Sequence, residues 1–345
     1  MINISLILIN LKYIIYIIIK LLIFFVPLLV SIAFLTLLER KVIGSMQQRK
    51  GPNVVGFFGL LQPIADGVKL VLKETMIPSI STTALFIIAP LITFSCAIAL
   101  WGVIPLNLMV ILADIDLSLL YILFLSSLSV YALIFAGWSS NSKYAFLGSL
   151  RSAAQMLSYE ISMGLNLLNV VIFSGSFNIL DIVESQNDIW YIYPLLPAFL
   201  LFGFSMLAET ARTPFDLPEA EGELVAGYNV EYSGLTFALF FLGEYSNLIF
   251  MSFLCSLLFL GGWNFPGILT YGSSFFAEED PIVFLSFLIL TFKTLVILFF
   301  FLLIRATLPR FRYDRLMYIG WQYVLPYSLM FLIFSSTIYL LFLYI

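Results

Sequence analysis

The sequence predicts an all-α, polytopic integral membrane protein with about eight transmembrane helices and both termini on the outer side of the membrane. Three observations carry that prediction. The 345 residues are 62% hydrophobic and only 10% charged, with a mean hydropathy of +1.07, well above the roughly 45–50% apolar content of soluble domains. Several apolar runs reach the ~20 residues that a helix needs to cross a hydrocarbon core of ~30 Å. The basic residues, finally, gather in alternate connections between these runs. A spanning barrel is excluded, because its strands are alternating segments of about 10 residues and these runs are continuous.

Taken in order, the spans fall at 14–38, 84–104, 117–138, 154–174, 190–209, 234–260, 282–304 and 321–344, within one transmembrane domain covering 1–345. The first follows a stretch with neither the features of a secretory signal nor the Arg/Ser-rich character of a transit peptide, so insertion from the side of synthesis is expected. Pro and Gly mark many of the breaks between spans, as in "IPLNL", "SGSFN" and "GGWNFPG". Between the first two spans, 39–83 mixes paired charges with Gly51-Pro52, Gly56 and Gly59. Its second half sets Leu60, Leu61, Ile64, Val68, Val71 and Leu72 at near-helical spacing, which predicts an amphipathic helix at the membrane surface. Asp66, Lys69 and Lys73 lie i,i+3 and i,i+4 on that helix, so part of the charge there is helix support.

Orientation follows from the cations. Connections 39–83, 139–153, 210–233 and 305–320 hold Arg40, Lys41, Arg49, Lys50, Lys69, Lys73, Lys143, Arg151, Arg212, Arg305, Arg310, Arg312 and Arg315. Connections 105–116, 175–189 and 261–281 hold none. Positive charge stays on the inner side, so these four loops face the cytoplasm or matrix. Outer acids such as Asp114, Asp116, Asp181, Glu184 and Asp188 read as solvated loop charges.

The residue inventory restricts the chemistry. The chain has no histidine and two cysteines, Cys96 and Cys255, both inside apolar runs, where they read as small buried hydrophobes. That set cannot supply the four thiolates of an iron–sulfur cluster or a His/Cys zinc site. A redox centre belonging to this chain alone is not expected, and no feature points to nucleic acid.

Residues 208–232, "AETARTPFDLPEAEGELVAGYNVEY", place six carboxylates (Glu209, Asp216, Glu219, Glu221, Glu223 and Glu231) beside one base, Arg212. Pro218 suits the first position of a helix, which makes Glu219 and Glu221 favourable at its positive end. Capping does not account for the rest. Carboxylates crowded without bases repel, and protons shared among them are what a relay requires. Glu160 and Glu244 fall inside the fourth and sixth spans, with Glu209 at the inner end of the fifth. Acids at membrane depth face a bundle interior or a water cavity and point to function. Lys293, alone in the seventh span, is equally a structural partner for one of them. The aromatics read as lipid-facing, packing and interfacial residues.

The blocks "LLERKVIGSMQQRKGPNVVGFFGLLQPIADGVKLVLKE", "AGWSSNSKYAFLGSLRSAAQMLSYEI", "AETARTPFDLPEAEGELVAGYNVEY", "FFLGEYSN" and "RATLPRFRYDRLM" resemble the subunit 1 family of NADH:ubiquinone oxidoreductase, respiratory complex I, and its bacterial counterparts. The resemblance covers all four inner loops and the adjoining spans. It implies a multi-pass, organelle-encoded protein of the mitochondrial inner membrane, consistent with a Phe-, Ile-, Tyr- and Leu-rich chain. Such a protein joins hydrophilic quinone-module subunits on the matrix side to membrane-arm subunits laterally, amid membrane lipids. Ubiquinone is then the substrate, and NADH, FMN and iron–sulfur clusters belong to partner subunits. On matching positions, Glu39, Arg40, Arg49 and Asp66 line or support the quinone tunnel. Glu209, Arg212, Asp216, Glu219, Glu221, Glu223 and Glu231 form the proton-coupling loop, which Glu160 and Glu244 continue into the membrane. Arg305, Arg310 and Arg312 are expected to meet neighbouring subunits or lipid headgroups. Two positions depart from the family pattern: Ala211, where "AETNR" is common, and Gln322, where Trp-Lys is usual.

Three functions compete on these residues. The leading one is the complex I subunit, although membrane-bound hydrogenases carry a similar subunit. A self-contained ion or proton antiporter would use the buried acids but brings internal repeats, and none is evident. A purely structural anchor would carry intramembrane acids to no purpose.

Overall fold

The computed structural model describes residues 4–107, 110–216, 226–264 and 279–344, with side chains described for 18–107, 110–216, 226–264 and 285–341. Every regular element among them is helical. The chain divides into two compact units, residues 1–69 and 70–345, where the sequence predicts a single domain.

The first unit is dominated by α1, Ile4–Met46, which is longer at both ends than the predicted 14–38. Nothing between residues 4 and 46 stops a helix except Pro27, and membrane helices tolerate an interior proline. The chain then doubles back along α1. Arg49 N–H donates to Gly44 O at 2.9 Å, and Lys41 Nζ donates to Phe58 O at 2.5 Å. Gly51 packs so closely that a Cβ there would stand 2.9 Å from Lys41 Cα, so this return needs glycine. Helix α2, Gln62–Leu72, straddles the boundary between units. Ile64, Val68, Val71 and Leu72 are each more than half exposed along it, which gives it an outward apolar face.

The second unit holds α3 (Thr83–Trp101), α4 (Ser118–Ser139), α5 (Lys143–Ser174), α6 (Ile179–Glu184), α7 (Leu196–Glu209), α8 (Leu235–Phe259), α9 (Glu279–Thr307), α10 (Tyr313–Ile319) and α11 (Leu325–Tyr344). Across the described residues, seven helices are long and apolar enough to cross a membrane, with 313–341 counted as one. Eight are predicted, and α7 is the one that falls short. Its 14 residues extend about 21 Å, because Pro194 and Pro197 lack the N–H that a helix interior needs. The helix therefore starts at Leu196 with Pro197 in its first turn, and 190–195 form turns.

Helix α5 differs in the other direction. The predicted loop 139–153 is mostly helix: only Ser140–Ser142 connect α4 to α5, and the Ser142 side chain accepts from Ala145 N–H as the cap. Residues 143–153 contain no proline, and their Lys and Arg do not oppose a helix. The resulting 32 residues extend about 48 Å, so α5 tilts or projects beyond the hydrocarbon core. Glu160 consequently lies mid-helix and not near its start. A π turn at Gly320–Val324 joins α10 to α11, which accommodates the missing N–H of Pro326.

The core that positions the site lies between α3, α4 and α8. Phe86, Ala89, Leu133, Ala136 and Phe240 pack there around Tyr228 and Tyr232 from the segment before α8. Tyr232 stacks on Phe86 with centroids 4.1 Å apart, and its hydroxyl lies 3.3 Å from Ser139 Oγ. Burial pushes the Tyr232 phenol up to about 12. At the far end of α8, Lys293 Nζ donates to Leu260 O, Gly262 O and Asn264 O at 2.7 Å each and lies 4.5 Å from the Trp190 ring centre. The expected glutamate partner is replaced by helix-end carbonyls, which suit a cation by their partial negative charge.

Candidate functional site

The site grows from the inner end of α7. Gln155, fully buried on α5, donates through Nε2 to Ala208 O at 2.7 Å and to Phe215 O at 2.8 Å. One side chain thereby ties together the two ends of the segment that carries Glu209, Arg212 and Asp216. Arg212 Cζ lies 4.3 Å over the Tyr245 ring of α8, a cation–π contact strengthened by burial.

Glu209 and Glu244 converge on one cavity of about 50 Å³. Its walls include Thr93, Ser129, Ser152, Tyr228 and Asn247. The Tyr228 hydroxyl donates to Glu244 Oε1. Glu209 Oε2 and Asn247 Oδ1 are buried without a hydrogen-bond partner. Buried polar oxygens require partners, and a polar cavity of this size exceeds the ~10–15 Å³ needed for one water. The arrangement can therefore hold water between two carboxylates.

The remaining predicted acids divide. Glu160 Oε1 accepts from Ser126 Oγ of α4 at 2.9 Å, and Glu160 is not among the residues lining the cavity. Asp216 Oδ2 pairs with Arg310 at 2.8 Å; the side chains are 7% and 39% exposed. That pairing corrects the expectation that Arg310 meets a neighbouring subunit. Phe311 N–H donates to Pro214 O at 3.0 Å and its ring stacks on Phe215, which docks the last inner loop onto this segment. Arg312 pairs with Asp314 on an open surface. Arg305 O accepts from Thr213 Oγ1 at 3.4 Å. Glu231 is half-buried and does not line the cavity. Glu219, Glu221 and Glu223 lie outside the described residues.

Within the first unit, Arg40 pairs with Asp66 at 2.8 Å, with side chains 53% and 36% exposed, and Gln62 Nε2 also donates to Asp66. Arg49 Nε donates to Gln47 Oε1 at 2.7 Å, and Glu39 is buried. Val54, Phe57, Leu60 and Leu61 line an apolar hollow of about 530 Å³. Among the described residues, no three His, Cys, Asp or Glu side chains come together to hold a metal ion.

Sequence reasoning missed Gln155, Tyr228, Asn247, Ser126 and the role of Arg310. An Asn three residues after Glu244 on an apolar helix was a usable signal, since an amide at that depth needs a partner.

The chain matches the NADH dehydrogenase family over residues 19–336. It is 53% identical over 330 residues to NADH-ubiquinone oxidoreductase chain 1 of Chondrus crispus, covering 96% of this chain and 98% of that one. NADH-ubiquinone oxidoreductase chain 1 of Mycosarcoma maydis is 52% identical over 330 residues, covering 95% and 98%. Among bacterial relatives, an NADH-quinone oxidoreductase membrane component of Paramagnetospirillum magneticum is 54% identical over 312 residues, covering 90% and 89%.

Proposed function

The chain belongs to the NADH dehydrogenase family, and from that premise we propose that it is the core membrane subunit of a proton-pumping NADH:ubiquinone oxidoreductase in the mitochondrial inner membrane. In this reading it helps form the ubiquinone path and couples quinone reduction to proton movement. NADH, FMN and the iron–sulfur clusters belong to the partner subunits that assemble on its matrix-side loops.

The observation that carries the coupling half is the cavity shared by Glu209 and Glu244. A proton held at Glu209 Oε2 passes to Glu244 through water in that cavity. Tyr228 occupies Glu244 Oε1, which leaves the other oxygen for the transfer. Asn247, one turn along α8, orients the water through its free carbonyl oxygen. Asp216 stays fixed by Arg310 and stabilises the segment without moving protons. Glu160 is the next acid toward the membrane, with Glu219, Glu221, Glu223 and Glu231 on the matrix side.

The quinone half is supported by the first unit. The hollow at Val54, Phe57, Leu60 and Leu61 suits an isoprenoid tail. Glu39, Arg40, Arg49 and Asp66 supply polar groups on the same unit, and the Arg40–Asp66 pair holds α2 to the end of α1.

Glu244→Gln in the assembled complex tests this function. It preserves size and the contact with Tyr228 but cannot relay a proton, so proton translocation coupled to NADH oxidation should fall at least tenfold. Normal pumping and turnover in a fully assembled variant would overturn the reading.

A further inference from the structure

Where α3 and α5 begin and α4 ends, a groove of about 380 Å³ opens, within the ~300–1,000 Å³ of small-molecule sites. The cavity with Glu209 and Glu244 does not involve it. Its walls include Thr82, Trp138, Asn141, Ser142, Lys143 and Phe146. The walls are fixed in place: Thr82 N–H donates to Ser139 O at 3.1 Å, Asn141 Nδ2 donates to Ile80 O at 3.4 Å, and Trp138 and Phe146 meet edge to face at 5.7 Å.

Two features identify the occupant. The first is charge: the lining contains one lysine and no carboxylate. Lys143 is exposed and has no ion-pair partner among the described residues. The second is the surface that leads away from the groove. Phe124, Tyr131 and Trp138 recur every seven residues on α4 and are 58%, 58% and 63% exposed. They form one aromatic strip along about 21 Å of helix, much of the ~30 Å hydrocarbon core. A cation at the top of an apolar strip, flanked by an interfacial tryptophan, matches a molecule with an anionic head and long apolar tails. A free phosphate would leave the strip unused, and a neutral lipid would leave Lys143 unmatched.

We propose that this groove binds the headgroup of an anionic phospholipid, with the phosphate at Lys143 and an acyl chain along Trp138, Tyr131 and Phe124. Basic pockets between transmembrane helices on the matrix or cytoplasmic side are a recognised setting for such headgroups.

The test uses the assembled complex, delipidated in detergent and returned to vesicles of phosphatidylcholine containing either cardiolipin or phosphatidylglycerol. Native mass spectrometry then counts the retained lipid. Wild type and Lys143→Arg should each hold one more anionic phospholipid per complex than Lys143→Glu. Equal retention by wild type and Lys143→Glu overturns the proposal, as does displacement of the lipid by inorganic phosphate. If Lys143→Glu fails to assemble, a photoreactive benzoylphenylalanine replacing Trp138 in the otherwise native chain decides the matter. An adduct with the mass of an anionic lipid supports the site. An adduct with a neighbouring protein chain or only with phosphatidylcholine overturns it.

Discussion

Ala211 adopts φ 47°, in the left-handed region that costs a residue with a Cβ roughly 1–2 kcal/mol and that Asn and Gly visit readily. The family motif places Asn at this position, so its loss here concerns the backbone as much as a hydrogen bond. Ala211→Asn and Ala211→Gly should stabilise the assembled complex by up to about 1 kcal/mol, seen as a raised thermal midpoint; a lowered midpoint for both would contradict this. The ion pair of Asp216 with Arg310 offers a second test. Removing Arg310 leaves a buried carboxylate without its cation, a loss of about 1–3 kcal/mol. Arg310→Ala should therefore destabilise more in the native background than in Asp216→Asn, and equal effects would mean the two do not interact. The acids were legible as charges out of place in an oily chain. Arg310 was not, because 94 residues separate it from Asp216 and no periodicity encodes so distant a contact.

Among the elements, α5 carries the sharpest steric condition. A Cβ on Gly148 would lie 2.7 Å from Gly227 Cα, and Gly227 immediately precedes Tyr228. Gly148→Ala should push that segment off α5, disturb the Tyr228–Glu244 contact and lower proton-coupled turnover severalfold. Gly203→Ala in α7 has open space around the added methyl and should leave turnover unchanged; an equal loss in both variants would refute this account. Tyr232→Phe would remove the Ser139 contact at about 0.5–1.5 kcal/mol. The native phenol, raised to about 12 by burial, keeps its full stabilising effect below pH ~10 and loses it as pH rises through 12. Apolar length made most helices readable. It failed at α5, where a helix runs on through polar residues, and at α7, where two prolines shorten an apolar run. In both places local backbone chemistry overrode hydropathy.

At the scale of the whole molecule, the uneven distribution of cations sets orientation. A tag at either terminus should be reached by a membrane-impermeant reagent only from the outer side, and labelling from the matrix side would reverse the assignment. A chain with no histidine and two buried cysteines should, when purified alone, neither oxidise NADH nor show a visible redox band. A haem or flavin spectrum would contradict that. Composition and motif order carried the fold class and the family because both are spread along the chain, whereas the cavity needs five helices to meet and has no linear signature. The three carbonyls held by Lys293 bear on how this assembly can move. Its ammonium has no donor left over, so α9 fastens α8 at the Leu260 end, and Glu244 lies toward the other. Helix α8 is then a lever with one pinned end, free to swing only where the acids are. Lys293→Met should release the pin, and the Leu260 and Gly262 amides, both donated to Ser256 O, should exchange hydrogen faster.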